Sequence, residues 1–248
     1  MSESEPAGGR TAVRGLFGRI ARRYDLLNRV MTLGRDRAWR RDAIRRVRLP
    51  CLGRLLDLGA GTGDLAAEAL RRDPGARVVT ADLTPEMMRL GRGRLRDRSI
   101  AWVCADARHL PFAGSAFDGV VSGFLLRNVG DTLQSLAEQL RVLRPGAWMA
   151  CLDTTPPGPG LVGWLVRMYL FQAVPRLGRW LAGDEAAYTY LARSTAEFVA
   201  AEDLAAQLSA TGFHQVGFCR RMLGAVAIHS GRRPVAPPSR KAPAASSI

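Results

Sequence analysis

A glycine turn and two aspartates carry the first sign of chemistry in this chain. Leu55-Leu56-Asp57-Leu58 is an apolar run closed around an acid, and Gly59-Ala60-Gly61-Thr62-Gly63 follows it as a turn onto a helical segment. The spacing is G-x-G-x-G, so the dinucleotide fingerprint G-x-G-x-x-G fails at its third glycine. Such a turn offers close backbone approach and free N–H donors at a helix start, which suits a carboxylate as well as a phosphate. Asp82 stands where an acid about 20 residues past the turn accepts from two ribose hydroxyls in nucleotide sites. Asp106 ends a third apolar run and can accept from an adenine amino group. Either aspartate alone reads as a cap or turn residue. In register after successive strands, with the turn, they point to an adenosine ligand.

The elements that must hold these residues alternate along the chain. Strands are expected at Arg54–Leu58, Arg77–Ala81, Ile100–Cys104, Gly119–Gly123 and Ala147–Leu152. Helices are expected at Asp64–Arg72, from Pro85 to about Arg96 with Thr84 as cap, and at Asp131–Leu143. This alternation means a parallel sheet covered on both faces, with ligands at the carboxyl ends of its strands. Helix Ala201–Thr211 and strands His214–Cys219 and Leu223–Ile228 close the chain, the last two as an antiparallel pair at the sheet edge. Residues 1–12 read as a flexible leader, 13–50 as amphipathic helices, 154–200 as an inserted helical cap, and 232–248 as a disordered basic tail. Residues 13–231 would then form a single domain.

The 248 residues carry a formal net charge of +14, almost all of it arginine, with Lys241 the only lysine. Arginines crowd residues 10–48, and a smaller group lies at Arg220, Arg221, Arg232, Arg233 and Arg240. Solvated helix faces account for much of this, and an anionic membrane surface is one partner it would suit. No stacking-plus-basic module is visible, so nucleic acid is not expected as a partner. Cys51, Cys104, Cys151 and Cys219 contain no C-x-x-C pair, which argues against a zinc site or a disulfide framework, and no metal is expected. Cys104, Cys151 and Cys219 read as buried thiols. The first residues lack the apolar core of a signal peptide, and the most apolar window, Leu161 to Leu181, is broken by Arg167, Arg176 and Arg179. A cytoplasmic protein is expected.

An adenosine ligand bearing a carboxylate in place of a pyrophosphate fits S-adenosylmethionine, with Gly59, Gly61, Thr62 and Gly63 around its methionine part. Asp82 with Leu83, and Asp106 with Ala107, would take its nucleoside. The strand order expected here, a mostly parallel seven-stranded sheet with an antiparallel edge strand, resembles the Rossmann-like class I methyltransferase fold. Tyr24-Asp25-Leu26-Leu27-Asn28, Leu110-Pro111-Phe112, Leu126-Arg127-Asn128-Val129 and Arg141-Val142-Leu143-Arg144-Pro145-Gly146 go further. With Tyr188-Thr189-Tyr190-Leu191 and Ala225-Val226-Ala227-Ile228-His229-Ser230-Gly231, they resemble the ubiquinone/menaquinone biosynthesis C-methyltransferases.

That resemblance implies methyl transfer from S-adenosylmethionine to a ring carbon of a prenylated quinol, demethylmenaquinol first and a ubiquinone precursor second. The ring carbon becomes nucleophilic when an adjacent phenol loses its proton. Arg127 would lower that phenol's pKa by its fixed charge or order a water that takes the proton, and Asn128 would orient the same water or a quinol oxygen. Tyr24, Asn28, Tyr188 and Tyr190 would contact the substrate, and Leu161, Val162, Trp164, Leu165, Val166, Met168, Tyr169, Leu170, Phe171 and Val174 would wall a channel for the prenyl tail. His229 would have a structural or lining role, and His109 reads as a solvated loop residue. The substrate would bring the protein to the membrane surface, and a homodimer is one assembly left open.

The chain departs from the family at three places. Gly123 stands where a cofactor-touching serine is usual, Leu125 where a glycine is usual, and Asp153 where a glutamate is usual. The changed loop motivates a rival reading, methylation of a soluble natural product. A non-enzymatic basic scaffold that kept the fold is the third, and the intact glycine turn, Asp82 and Asp106 argue against it.

Overall fold

Strand β1 (Arg54–Leu58) is buried at every residue after Arg54, and this explains why it reads as an unbroken apolar run. Its side chains alternate between two cores. Leu55 joins Trp39, Ala43 and Ile44 of helix α1 (Asp36–Arg46) and Leu65, Ala69 and Leu70 of α2 (Asp64–Arg72) on one face. Leu56 and Leu58 face the other side. There they meet Leu136 and Val142 of α4 (Thr132–Val142) and Leu204 and Leu208 of α6 (Ala201–Thr211). Burying each such leucine contributes about 1.5–3 kcal/mol. The computed structural model describes residues 34–158, 160–169 and 197–235, together with Gly15, Arg29, Thr32, Gln172, Ser194 and Thr195. The leader, Tyr24, Asn28, Tyr188, Tyr190, most of the expected cap and the tail beyond Val235 lie outside the described residues.

The remaining strands are β2 (Arg77–Asp82), β3 (Ile100–Cys104), β4 (Phe117–Gly123), β5 (Leu143–Thr154), β6 (His214–Arg221) and β7 (Val226–Arg232). Helix α3 (Pro85–Arg94) links β2 to β3, and α5 (Gly160–Met168) follows β5. The seven strands lie in the order β3-β2-β1-β4-β5-β7-β6. Strands β1 to β5 pair in parallel, while β7 pairs antiparallel with both β5 and β6. This is the class I methyltransferase order, closed by the expected antiparallel pair.

Several boundaries moved for local reasons. Strand β5 starts at Leu143, not Ala147, because Leu143 already pairs with Phe117; a bulge between Phe117 and Gly119 absorbs Arg144-Pro145-Gly146. The last strand begins at Val226 instead of Leu223, because Met222 and Leu223 have positive φ in a 3-10 turn, Met222–Gly224. It continues through Arg232, and the Arg233 backbone pairs with Gly146 and Ala147, so the ordered chain passes the expected end at 231. Thr84 precedes α3, but its side chain does not cap the helix. Of the three thiols expected inside, Cys151 is buried and Cys219 half-buried; Cys104 is exposed because β3 is an edge strand.

Candidate active site

The strand order reverses between β1 and β4, and that reversal leaves a crevice beyond their carboxyl ends. It holds a cleft whose empty volume, open mouth included, is about 1060 Å³. The turn after β1 forms its floor. Gly59, Gly61 and Gly63 have φ of 66°, 55° and 82°, which residues with a Cβ adopt only under strain. Four of the turn's own N–H groups are already engaged within the protein. Gly59 and Ala60 donate to the Ala81 carbonyl at 2.7 and 3.2 Å, Gly61 donates to Asp82 Oδ2 at 2.7 Å, and Gly63 donates to the Ala60 carbonyl at 2.8 Å. The turn is tied to β2, and acids dominate what faces the cleft.

Asp57 is the most consequential of them, and it was not singled out as a site residue. Its side chain lies at the cleft floor with the residue 0% exposed. Oδ2 accepts from the Ala66 N–H at 2.9 Å, while Oδ1 has no partner. Burial first, and the nearby Asp82 and Asp64 carboxylates after it, raise its pKa to about 7. A buried acceptor without a donor is costly, and an ammonium group would satisfy it. The available signal was an acid inside a strand buried on both faces.

Asp82 accepts from Gly61 with Oδ2 and from the Thr84 N–H with Oδ1, each at 2.7 Å, which aims both oxygens into the cleft mouth. Burial pushes its carboxyl above the usual range, against those hydrogen bonds. Asp106 is gripped by Arg108, whose backbone N–H and Nε donate to Oδ1 at 2.9 and 3.2 Å and whose Nη2 donates to Oδ2 at 3.0 Å. The Arg108 side chain therefore belongs to the site, as does buried Arg40, which pairs with Asp36 and lies 3.2 Å from Asp64. Neither had been expected there, since arginines are too frequent in this chain for any one to stand out.

Of the nine residues expected around the cofactor, Gly59, Gly61, Thr62, Asp82, Leu83, Asp106, Ala107 and Gly123 line the cleft, and Gly63 does not. A Cβ on Gly63 would meet Trp102 at 2.9 Å and Leu95 at 3.0 Å, so this glycine serves the packing of α2. The two loop departures both act on the cleft. A Cβ on Gly123 would approach Leu65 to 3.0 Å, and Leu125 lies so close over Gly59 that a Cβ there would meet it at 2.6 Å.

Arg127 and Asn128 share one 3-10 turn, Leu126–Asn128, yet face different ways. Asn128 lines the cleft and donates from Nδ2 to the Phe124 carbonyl at 2.9 Å. Arg127 does not line it. Its Nη1 donates to Asp153 Oδ1 at 2.8 Å, with the two side chains 5% and 2% exposed, and its Nε is buried without a partner. It opens instead on a second, half-open cavity whose empty volume, mouth included, is about 870 Å³, with Leu126, Val129, Thr132, Glu197 and Phe198. Val129 lines both spaces. The fixed charge expected at Arg127 is thus balanced by Asp153, which holds the guanidinium in place as a directed N–H donor.

His229 is buried, stacks on Phe218 with ring centroids 5.1 Å apart, and places Nε2 2.8 Å from the Ala201 carbonyl; burial lowers its pKa. His109 is exposed in the loop after Asp106.

A family model described as the ubiE/COQ5 methyltransferase family matches residues 6–233. The chain belongs to this family. It is 45% identical over 219 residues to the ubiquinone/menaquinone biosynthesis C-methyltransferase UbiE of Desulfotalea psychrophila, covering 88% of this chain and 89% of that one. It is 41% identical over 221 residues to the demethylmenaquinone methyltransferase of Thermus thermophilus, covering 88% of this chain and all of the relative. Among solved structures, a SAM-dependent methyltransferase from Thermotoga maritima matches with a TM-score of 0.63 at 18% identity, covering 89% of this chain and 99% of that one. The [4+2]-cyclase SpnF matches with a TM-score of 0.67 at 17% identity, covering 95% and 100%. Those likenesses show the fold.

The chain is thus an S-adenosylmethionine-dependent C-methyltransferase, and the cleft fits that cofactor. The lining offers Asp57 Oδ1 as an unpaired buried acceptor, Arg40 as a buried cation and Asp82 as a carboxylate fixed by Gly61 and Thr84, a set whose chemistry would suit an ammonium, a carboxylate and ribose hydroxyls.

Proposed function

We propose that the protein methylates a ring carbon of a prenylated quinol, converting demethylmenaquinol to menaquinol in respiratory quinone biosynthesis. The observation that carries this reading is the adjacency of two cavities across the Leu126–Val129 turn, one built for the cofactor and one faced by Arg127. The names of the relatives, demethylmenaquinone methyltransferase and C-methyltransferase of ubiquinone/menaquinone biosynthesis, supply the acceptor class. When bound, the cofactor supplies an electrophilic methyl group on a sulfonium.

The protein's task is then alignment and activation of the acceptor. Leu126, Val129, Phe198 and Val199 give the second cavity an apolar side against which a ring can lie. The Arg127 guanidinium, held through Nη1 by the Asp153 carboxylate, is the group at this wall that donates to a phenolic oxygen as it gains charge. Asn128 braces the turn between the two spaces through the Phe124 carbonyl. Tyr24, Asn28, Tyr188 and Tyr190 remain proposed substrate contacts.

A benzoquinol precursor of ubiquinone is the second reading, since the Desulfotalea relative carries both quinone names. The soluble-product reading loses ground, because Leu125 packs over Gly59 on the cofactor side. Contact with an anionic membrane through the arginine-rich N-terminal residues, and assembly as a homodimer, belong to the same proposal. Incubation with labelled S-adenosylmethionine and either reduced demethylmenaquinone or its benzoquinone counterpart, followed by location of the label, tests it. Label on a ring carbon of the naphthoquinol supports the reading; no label on either quinol refutes it.

A further inference from the structure

Leu161 to Val174 were expected to wall a channel for the prenyl tail, but helix α5 turns most of its described apolar side chains outward. Its inward side is Gly163, where the Gly158 carbonyl leaves no room for a Cβ, and buried Val166. Leu161, Trp164, Leu165 and Met168, at helical positions i, i+3, i+4 and i+7, face outward; the first three are 72%, 50% and 53% exposed. An apolar stripe of that period belongs against something. A second observation lies beside it. The Met222–Gly224 turn packs against α5, and Met222 and Leu223 both have positive φ, a costly conformation for large side chains, with Leu223 73% exposed. That strain holds one more apolar side chain out beside the stripe.

Position and charge say what would cover it. Because β7 runs antiparallel to both β5 and β6, the turn after β6 and the helix after β5 share the carboxyl end of the sheet with the cofactor cleft. Arg167 lies on α5 itself, and Arg220, Arg221 and Arg46 lie around the turn through the partners Glu202, Asp42 and Cys219. Four arginines against two acids leave a net positive rim around an apolar centre, with a tryptophan in it. That is the chemistry of a surface that seats in the headgroup and upper acyl region of an anionic bilayer.

We infer that Leu161, Trp164, Leu165, Met168 and Leu223 form a lipid-inserting surface that sets the cleft end of the sheet on the membrane. This rests on the prenylated-quinol reading for its purpose, though its test does not. With the tail left in the bilayer, the protein needs to enclose only the ring. Insertion through this patch also differs from attraction through the N-terminal arginines, because apolar contact survives salt.

The test is flotation of the full-length protein with phosphatidylcholine vesicles containing phosphatidylglycerol, at low and high salt. Wild type and the variants L161S/L165S and L223S are compared, with circular dichroism and S-adenosylmethionine binding to confirm folding. The parent should float at both salt concentrations, and each variant should bind vesicles about tenfold more weakly. Methylation of a short-chain, water-soluble quinol should be unchanged in the variants, while that of the vesicle-borne prenylated acceptor falls. Equal flotation of wild type and variants overturns the inference. So does sedimentation showing that the patch joins two copies, with dimers that the substitutions dissolve. Loss of all quinol methylation in the parent, with flotation and its dependence on the patch intact, would sink the acceptor assignment and leave this surface standing.

Discussion

Replacing Asp57 by asparagine should stabilise the empty protein and weaken its hold on the cofactor. In the folded protein the Asp57 pKa is about 7, against an ordinary value of 3.8. A raised acid favours the protonated form, so this group's stabilising effect is full below pH 3.8 and falls away as pH rises to about 7, staying constant above. Three pH units correspond to about 4 kcal/mol at 1.36 kcal/mol per unit. Asparagine keeps an oxygen for the Ala66 N–H but turns an amide N–H toward the place of the orphaned Oδ1, which returns about 1–3 kcal/mol of that gain. Net stabilisation of roughly 1–3 kcal/mol is expected at pH 8, turning to a net destabilisation of about 1–3 kcal/mol near pH 4, where the wild-type acid is protonated and only the amide's cost remains. Binding moves the other way. Losing a charge-assisted hydrogen bond to an ammonium costs about 1.5–3 kcal/mol, roughly 10- to 150-fold in affinity. Denaturant titrations of the empty protein across pH 4–8 measure the first effect. Calorimetry of S-adenosylmethionine binding in buffers of different ionisation heat measures the second, and near pH 7 wild type should release part of a proton that the variant does not. Equal affinities, or a stability difference that is flat with pH, would refute the assignment of Asp57 as the buried partner of the cofactor's ammonium.

Arg127→Ala leaves Asp153 buried without its cation, so it should cost about 3–5 kcal/mol of stability and depress turnover, while cofactor affinity stays near wild type because Arg127 faces the other cavity. A double-mutant cycle with Asp153→Ala should show the two losses strongly non-additive. Gly63→Ala forces a residue with φ of 82° to carry a Cβ into Trp102 and should destabilise by roughly 1–3 kcal/mol in denaturant melts. Gly123→Ser, which returns the usual family residue, presses only on the tip of Leu65 and should cost about 1 kcal/mol or less. Thiol alkylation followed by mass spectrometry should label exposed Cys51 and Cys104 in the folded protein and reach Cys151 only on unfolding, since burial raises its pKa far above the usual thiol range.

Much of the fold was legible because its rules are local. Strand β1, buried on both faces, shows as an unbroken apolar run, and β3, α2 and α6 also fall where apolar pattern and turn residues put them. The misplaced start of β7 has a non-local cause, since Met222 and Leu223 look like strand residues and only the turn against α5 makes them otherwise. The same holds for Cys104, whose apolar neighbours do not reveal that β3 ends the sheet.

The site divides along the same line. The glycine turn, Asp82 and Asp106 could be expected to share one cleft because each sits at a fixed distance along the chain from a strand end, and topology brings strand ends together. The direction of a side chain has no such signature. Neighbouring residues of a single turn, Arg127 and Asn128, look alike in the sequence as candidates for one reaction, and only the packed structure sends one to Asp153 and the other to the cofactor cleft. Asp57 was visible as an acid in an apolar run, but its raised pKa and orphaned oxygen come from desolvation by everything folded around it. The sequence by itself determined the fold and the cofactor, because those follow from local pattern and spacing, and the family through motifs that resemble those of its members. The tertiary structure alone decided which charges are spent on each other, which remain for a ligand, and that the apolar face of α5 looks outward, because burial and pairing depend on residues far apart in the chain.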